Sequence, residues 1–152
     1  MADEVLCLDT SVLVKFLTAE EPPEQADAAA RLVLRGLTGA RLVAPAFAWA
    51  EVGSVLLKKA RRELLSPEQA AELWTRCLAL PVDYVDSPGL RSRAWELVEA
   101  HGLATLYDAA FLACAELAPA DEPAVREFWT ADALLVQRLG ERRPSYVHLV
   151  AE

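Results

Sequence analysis

The chain has 152 residues, 54% of them hydrophobic and 25% charged, enough apolar material for one ordinary domain with a real core. Its 15 basic and 23 acidic residues give a net charge of −8, which argues against a broad, non-specific nucleic-acid binder but leaves room for a local basic rim. Cys7, Cys77 and Cys114 are odd in number and far apart, with no Cys-x-x-Cys, so neither a disulfide framework nor a zinc site is supported. Each is expected to pack as a small apolar residue, consistent with a reducing cytoplasm. The acidic start, Met1-Ala2-Asp3-Glu4, lacks the basic region of a signal peptide. Glu51 and Asp108 interrupt the two best apolar runs, so no membrane span is expected.

In chain order, Val5-Leu6-Cys7-Leu8 is a short apolar run that ends abruptly at Asp9. Such a run reads as a buried parallel strand over 5–8. Thr10 and Ser11 are placed to cap a helix over 11–18. Asp9 then sits at the carboxyl end of a central strand, where open α/β sheets place their chemistry; it could equally be only a cap. Glu20-Glu21-Pro22-Pro23 breaks the chain. A second helix over 24–37 starts with acids and ends in the Gly36 to Gly39 stretch. Residues 41–44 read as a strand closed by Pro45, and 46–62 as a long helix carrying Glu51. That helix ends in Lys58, Lys59, Arg61 and Arg62, which suit the negative end of its dipole.

Ser66-Pro67-Glu68-Gln69 is a capping box with proline in the first helical position, opening a helix that runs to about residue 80. A third strand follows over 82–85. Ser87-Pro88 opens a fifth helix that Gly102 closes. Thr105-Leu106-Tyr107-Asp108 opens a sixth, to about residue 116. A proline-bearing loop over 118–122 leads to a strand over 127–130, a helix over 132–139 and a last edge strand over 146–150. Strands separated by helices predict βαβ units: a mostly parallel sheet with helices on both faces, in one domain over 1–152.

Asp132 and Asp108 each sit near a strand end or in the first turn of the following helix, as Asp9 does. Glu51 lies about a turn and a half into its helix, among Phe47, Trp49, Ala50, Val52, Val55 and Leu56, where a carboxylate needs a partner. In a parallel sheet those ends share one edge, so the four acids can meet in one crevice. The plainer alternatives are that Thr105 and Asp108 form a capping box and that Asp132 favours a helix start. Two carboxylates about 4 Å apart repel by roughly 4 kcal/mol at an effective dielectric of 20, so four together call for a counter-charge. With no Cys or His cluster the donors are hard oxygens, which suit Mg²⁺ or Mn²⁺ over Zn²⁺. Such an ion can activate water toward a phosphodiester. His101 and His148 sit at no predicted strand end, so histidine acid–base cleavage is poorly supported.

Leu8-Asp9-Thr10-Ser11-Val12-Leu13, then Glu51, then Tyr107-Asp108-Ala109-Ala110-Phe111-Leu112-Ala113, then Trp129-Thr130-Ala131-Asp132, resembles the PIN-domain nucleases and most of all the VapC-type toxins of toxin–antitoxin pairs. The order of these motifs is more specific than any one of them. The resemblance implies a three-layer α/β/α fold around a five-stranded parallel sheet. It implies that Asp9, Glu51, Asp108 and Asp132 bind one or two Mg²⁺ or Mn²⁺ ions and cleave RNA, leaving 5′-phosphate and 3′-hydroxyl ends. Thr10 and Thr130 match hydroxyl positions beside the metal. A cognate antitoxin is the implied partner, and a homodimer is expected. Lys15, Lys58, Lys59, Arg61 and Arg62 are the candidates for touching phosphate, or else a solvated helix end. Phe47 and Trp49 line a groove, pack in the core or meet a second subunit. Two alternatives stand beside this reading: an aspartate-based phosphotransfer domain and a PIN-like scaffold that binds RNA or protein without cutting. The first would want an Asp-x-Asp at the first strand, and Ser11 occupies that place.

Overall fold

The computed structural model describes residues 2–152. Five strands are joined by seven helices: β1 (Asp3–Leu8), α1 (Thr10–Thr18), α2 (Pro23–Thr38), β2 (Arg41–Pro45), α3 (Ala48–Arg61), α4 (Pro67–Ala79), β3 (Val82–Val85), α5 (Pro88–His101), α6 (Leu106–Leu117), β4 (Ala124–Thr130), α7 (Ala133–Leu139) and β5 (Val147–Leu149). The strands form one sheet in the order β3-β2-β1-β4-β5. Every pairing is parallel, with Leu8 opposite Trp129 at the carboxyl end of β1 and β4. The fold is therefore the expected three-layer α/β/α arrangement, with β1 at its centre and β5 at an edge.

Why β1 is central follows from its sequence. Val5, Leu6, Cys7 and Leu8 are all essentially without solvent exposure. Side chains alternate across a strand, so Val5 and Cys7 enter the core beneath α5 and α6, while Leu6 and Leu8 enter the one shared with α1, α2 and α4. Only a strand covered on both faces needs four consecutive apolar residues. The same alternation sends Phe128 to one core and Trp129 to the other. Burying each large side chain stabilises the fold by about 1.5–3 kcal/mol. All three cysteines are buried and free, as expected of small apolar residues.

Several ends follow their local chemistry. Ser66 accepts from the Gln69 amide at 3.0 Å while the Gln69 side chain accepts from the Ser66 amide at 2.8 Å, completing the capping box. Ser87 caps α5 at Leu90, and Gly102 closes it in the left-handed region at φ +61°. One expectation is corrected. Thr10 and Ser11 do not cap α1: the helix already includes Thr10, Asp9 holds the cap position by its backbone, and no side chain bonds there. The second helix runs to Thr38 and ends at Gly39, within the Gly36 to Gly39 stretch expected for it.

Gly36 has a different task. A Cβ at this position would stand 2.3 Å from Cγ of Leu42, itself buried on β2. The absent side chain lets α2 lie close against the sheet. Gly36→Ala is expected to lower stability by about 1–3 kcal/mol, because overpacking outweighs the roughly 1 kcal/mol gain in helix propensity. A thermal melt checks this, and a melting temperature above that of the parent would show that the close approach is not limiting.

Candidate active site

At the carboxyl edge of the sheet lies an open crevice of about 470 Å³, lined by residues that include Asp9, Thr10, Ser11, Lys15, Glu20, Lys59, Asp108 and Asp132. β1 delivers Asp9, and the Asp9 amide donates to the Trp129 carbonyl at 2.9 Å, continuing the β1–β4 ladder one residue past β1. Thr130 at the end of β4 is fully buried and donates its hydroxyl to Asp9 Oδ2 at 2.7 Å. Ser11 donates to the same oxygen at 3.0 Å and accepts from the Ala131 amide at 3.0 Å. Asp132 closes the circuit, its amide donating to Thr130 Oγ1 at 3.0 Å. A carboxylate, two hydroxyls and two amides thus lock the end of β1 to the turn after β4.

Burial pushes the Asp9 carboxyl above its ordinary range; the Thr130 and Ser11 hydrogen bonds pull it back, and the charge on Asp108 raises it further. Asp108, in the first turn of α6, is also raised, by burial and then by the charge on Asp132, with Arg138 opposing. Thr105 Oγ1 accepts from the Asp108 amide at 3.3 Å. Among the described residues the Thr105 amide does not donate back to the Asp108 carboxylate, so only half of the capping box exists. Asp132 does act as a cap: its Oδ1 accepts from Leu134 and Leu135 at 3.0 and 3.2 Å. One oxygen is spent on α7 and the other is left for the crevice.

Glu51 stands apart. It does not line the crevice but lies behind Thr10, whose hydroxyl donates to Glu51 Oε1 at 3.5 Å. Burial raises its carboxyl first and the charge on Asp9 next; Thr10 opposes, and Asp108 adds to the rise. Each of these three raised carboxyls therefore feels another member of the group, which is the signature of acids crowded without a counter-charge. Among the described residues no group of three His, Cys, Asp or Glu side chains stands close enough together to hold a metal ion by itself. The donors lining the crevice are oxygens, and the crevice is open on one side. That suits Mg²⁺, which keeps several waters and takes one or two carboxylates, better than a metal needing an all-protein shell.

Of the basic candidates, Lys15 and Lys59 line the crevice, while Lys58, Arg61 and Arg62 lie exposed at the far end of α3. Phe47 packs edge-on against Tyr107 and Phe111, with ring centroids 5.1 and 5.8 Å apart. Trp49 is half exposed and faces Trp74 across a groove of about 570 Å³ between α3 and α4. His148 lies on β5, stacked on Trp129 at 4.7 Å and away from the crevice. The sequence reading missed the bridging task of Ser11, the presence of Glu20 and the reach of Arg138 toward Asp108. The Asp-Thr-Ser run was the available signal for the first; nothing local marked the other two.

A PIN domain family model matches residues 6–122, well over half of the chain. The chain belongs to the PIN domain family. Its fold is similar to a toxin–antitoxin complex from Klebsiella pneumoniae (TM-score 0.62, 17% identity, 97% of this chain and 98% of that one). It is also similar to VapBC2 from Rickettsia felis bound to a DNA fragment from its promoter (TM-score 0.56, 16% identity, 95% and 96% of the two chains). No curated protein matches the chain by sequence. The family match ends before Thr130 and Asp132, so their place at the crevice rests on the geometry of β4 alone. Among the described residues no helix is long and apolar enough to cross a membrane.

Proposed function

We propose that this protein is a metal-dependent endoribonuclease, the toxin of a toxin–antitoxin pair. The observation that carries the reading is the half-buried Asp9, tied to Thr130 and Ser11 and facing Asp108 and Asp132 across a crevice that also holds two lysines. Asp9, Asp108 and Asp132 would hold a Mg²⁺ or Mn²⁺ ion, with Glu51 behind Thr10 as the fourth acid. The ion, when bound, supplies positive charge to the scissile phosphate and acidifies water for the attack. Thr130 and Ser11 fix the Asp9 carboxylate, so its lone pairs do not reorient during reaction. Thr10 does the same for Glu51. Lys15 and Lys59 draw a phosphodiester toward the acids, which offsets the overall charge of −8 locally.

The toxin reading is supported by membership of the PIN family and by the two complexes above. An antitoxin segment fits the apolar groove between α3 and α4, where Trp49, Leu57 and Trp74 offer anchors for an amphipathic helix. A homodimer belongs to the same reading, supported by large exposed apolar side chains such as Trp95 and Tyr107.

The direct test is incubation of purified protein with single-stranded RNA in Mg²⁺, in Mn²⁺ and in chelator. Cleavage with either ion, none in chelator, and products ending in 5′-phosphate and 3′-hydroxyl are expected. Undiminished cleavage in chelator would sink the metal mechanism. RNA binding without cleavage under every condition would favour the scaffold alternative.

A further inference from the structure

Both lysines of the crevice are tied to the connector between α1 and α2. Lys15 donates to the Glu21 carbonyl at 3.5 Å. Lys59 forms an ion pair with the Glu20 carboxylate, and the pair is mostly shielded, with side-chain exposures of 21% and 32%. Ala19 makes the turn that brings Glu20 over the crevice, in the left-handed region at φ 50°. Glu20 lines the same crevice as Asp9, Asp108 and Asp132.

Lys59 sits in an awkward place. Glu51, Val55 and Lys59 follow one another at helical spacing along α3, so they share one face of the helix. Side chains on a helix lean toward its N-terminus, which for Lys59 is the direction of Val55 and the acids. A flexible ammonium beside several crowded carboxylates is their natural counter-ion. Left free, it would neutralise the very charge that a divalent ion needs.

We propose that Glu20 is a positioning residue that keeps the Lys59 ammonium on the outer wall of the crevice, off the acids, so that a divalent ion can occupy them while the lysine stays available to RNA phosphate. This rests on the metal-dependent nuclease reading. The ion pair across the crevice mouth gives Lys59 a partner stronger than solvent, and the connector supplies that partner from outside the acid cluster. Glu20 acts through Lys59 and not as a metal ligand.

The test is a double-mutant cycle read on metal binding, with Mn²⁺ affinity measured from the electron paramagnetic resonance signal of free Mn²⁺. Parent, Glu20→Gln, Lys59→Met and the double variant are compared, with melts in chelator to show that each is folded. Glu20→Gln is expected to weaken Mn²⁺ binding about fivefold, the scale of a partly shielded ion pair. Lys59→Met is expected to bind Mn²⁺ at least as tightly as the parent, and the double variant to return to that level. An equal loss from Glu20→Gln in the Lys59→Met background would overturn the proposal, because Glu20 would then act on the metal directly. Unchanged affinity in Glu20→Gln would overturn it too. A parent that neither binds Mn²⁺ nor cuts RNA removes the nuclease reading and this inference with it. A parent that does both, without Lys59-dependent coupling, removes the inference alone.

Discussion

Replacing Asp9 with Asn is expected to lower the proposed metal-dependent RNA cleavage by on the order of a thousandfold, yet to leave the metal-free protein at neutral pH as stable as the parent or more so. The two effects come from one fact. Burial raises the Asp9 carboxyl, the charge on Asp108 raises it further, and its own charge raises Glu51 in turn. Asn keeps an oxygen that can accept from Thr130 and Ser11 but removes the charge that would hold an ion. The sign for stability follows from the raised carboxyl. Its stabilising effect is complete below the ordinary carboxylate pKa and is lost as pH rises through the higher folded value. Above that point the folded state carries an ionised group that the unfolded chain would solvate better. Chemical denaturation of both proteins in chelator, at acid and neutral pH, checks this. A variant clearly less stable than the parent at neutral pH would show that Asp9 serves the fold through its hydrogen bonds more than it strains it.

A second expected result concerns Asp108. At an Mn²⁺ concentration one hundred times its Kd, binding stabilises the parent by about 2.7 kcal/mol. For a chain of this size that is a rise of about 5–10 °C in melting temperature. If Asp108→Asn weakens binding about a hundredfold, the same Mn²⁺ stabilises by only about 0.4 kcal/mol. The rise then nearly vanishes. In chelator the variant should melt at or above the parent temperature, because a charge repelled by Asp132 has gone. A purely structural Asp108 behaves otherwise. It would favour the start of α6 through the helix dipole by up to about 1 kcal/mol, and its loss would lower the melting point in chelator. A destabilised variant, together with a parent indifferent to Mn²⁺, would reject the acid-cluster reading.

Much of the fold was legible because its signals are local. Four apolar residues before Asp9 can only be a strand covered twice, and Ser66 to Gln69 spell a helix start in four letters. The packing task of Gly36 was not legible, because its reason lies across the fold, at Leu42. Thr10 and Ser11 were misread for a related reason. Hydroxyls after a strand usually cap, but here their partners are Glu51 and Ala131, distant in sequence. Asp9 and Asp132 were singled out by their place after strands, whereas Asp108 and Glu51 lie in the first turns of α6 and α3. What could not be read was rank: that Asp9 is the hydrogen-bonded hub, that Asp132 divides its carboxylate between helix and crevice, and that Glu51 stands behind Thr10. Those distinctions depend on packing depth, which no spacing records. Glu20 was invisible for the same reason, sitting in an acidic, proline-bearing break that reads as linker.

The bond from Thr130 to Asp9 and the bond from the Ala131 amide to Ser11 each join residues about 120 positions apart. The strand that completes the site is the fourth of five, near the end of the chain. On a ribosome, β1 to α6 emerge while β4 is still inside, and a chain in that state has no partner for the Asp9 hydrogen-bond circuit. Long-range pairing of this kind also forms late in folding. The nuclease proposed above is therefore expected to be inactive until β4 has paired with β1.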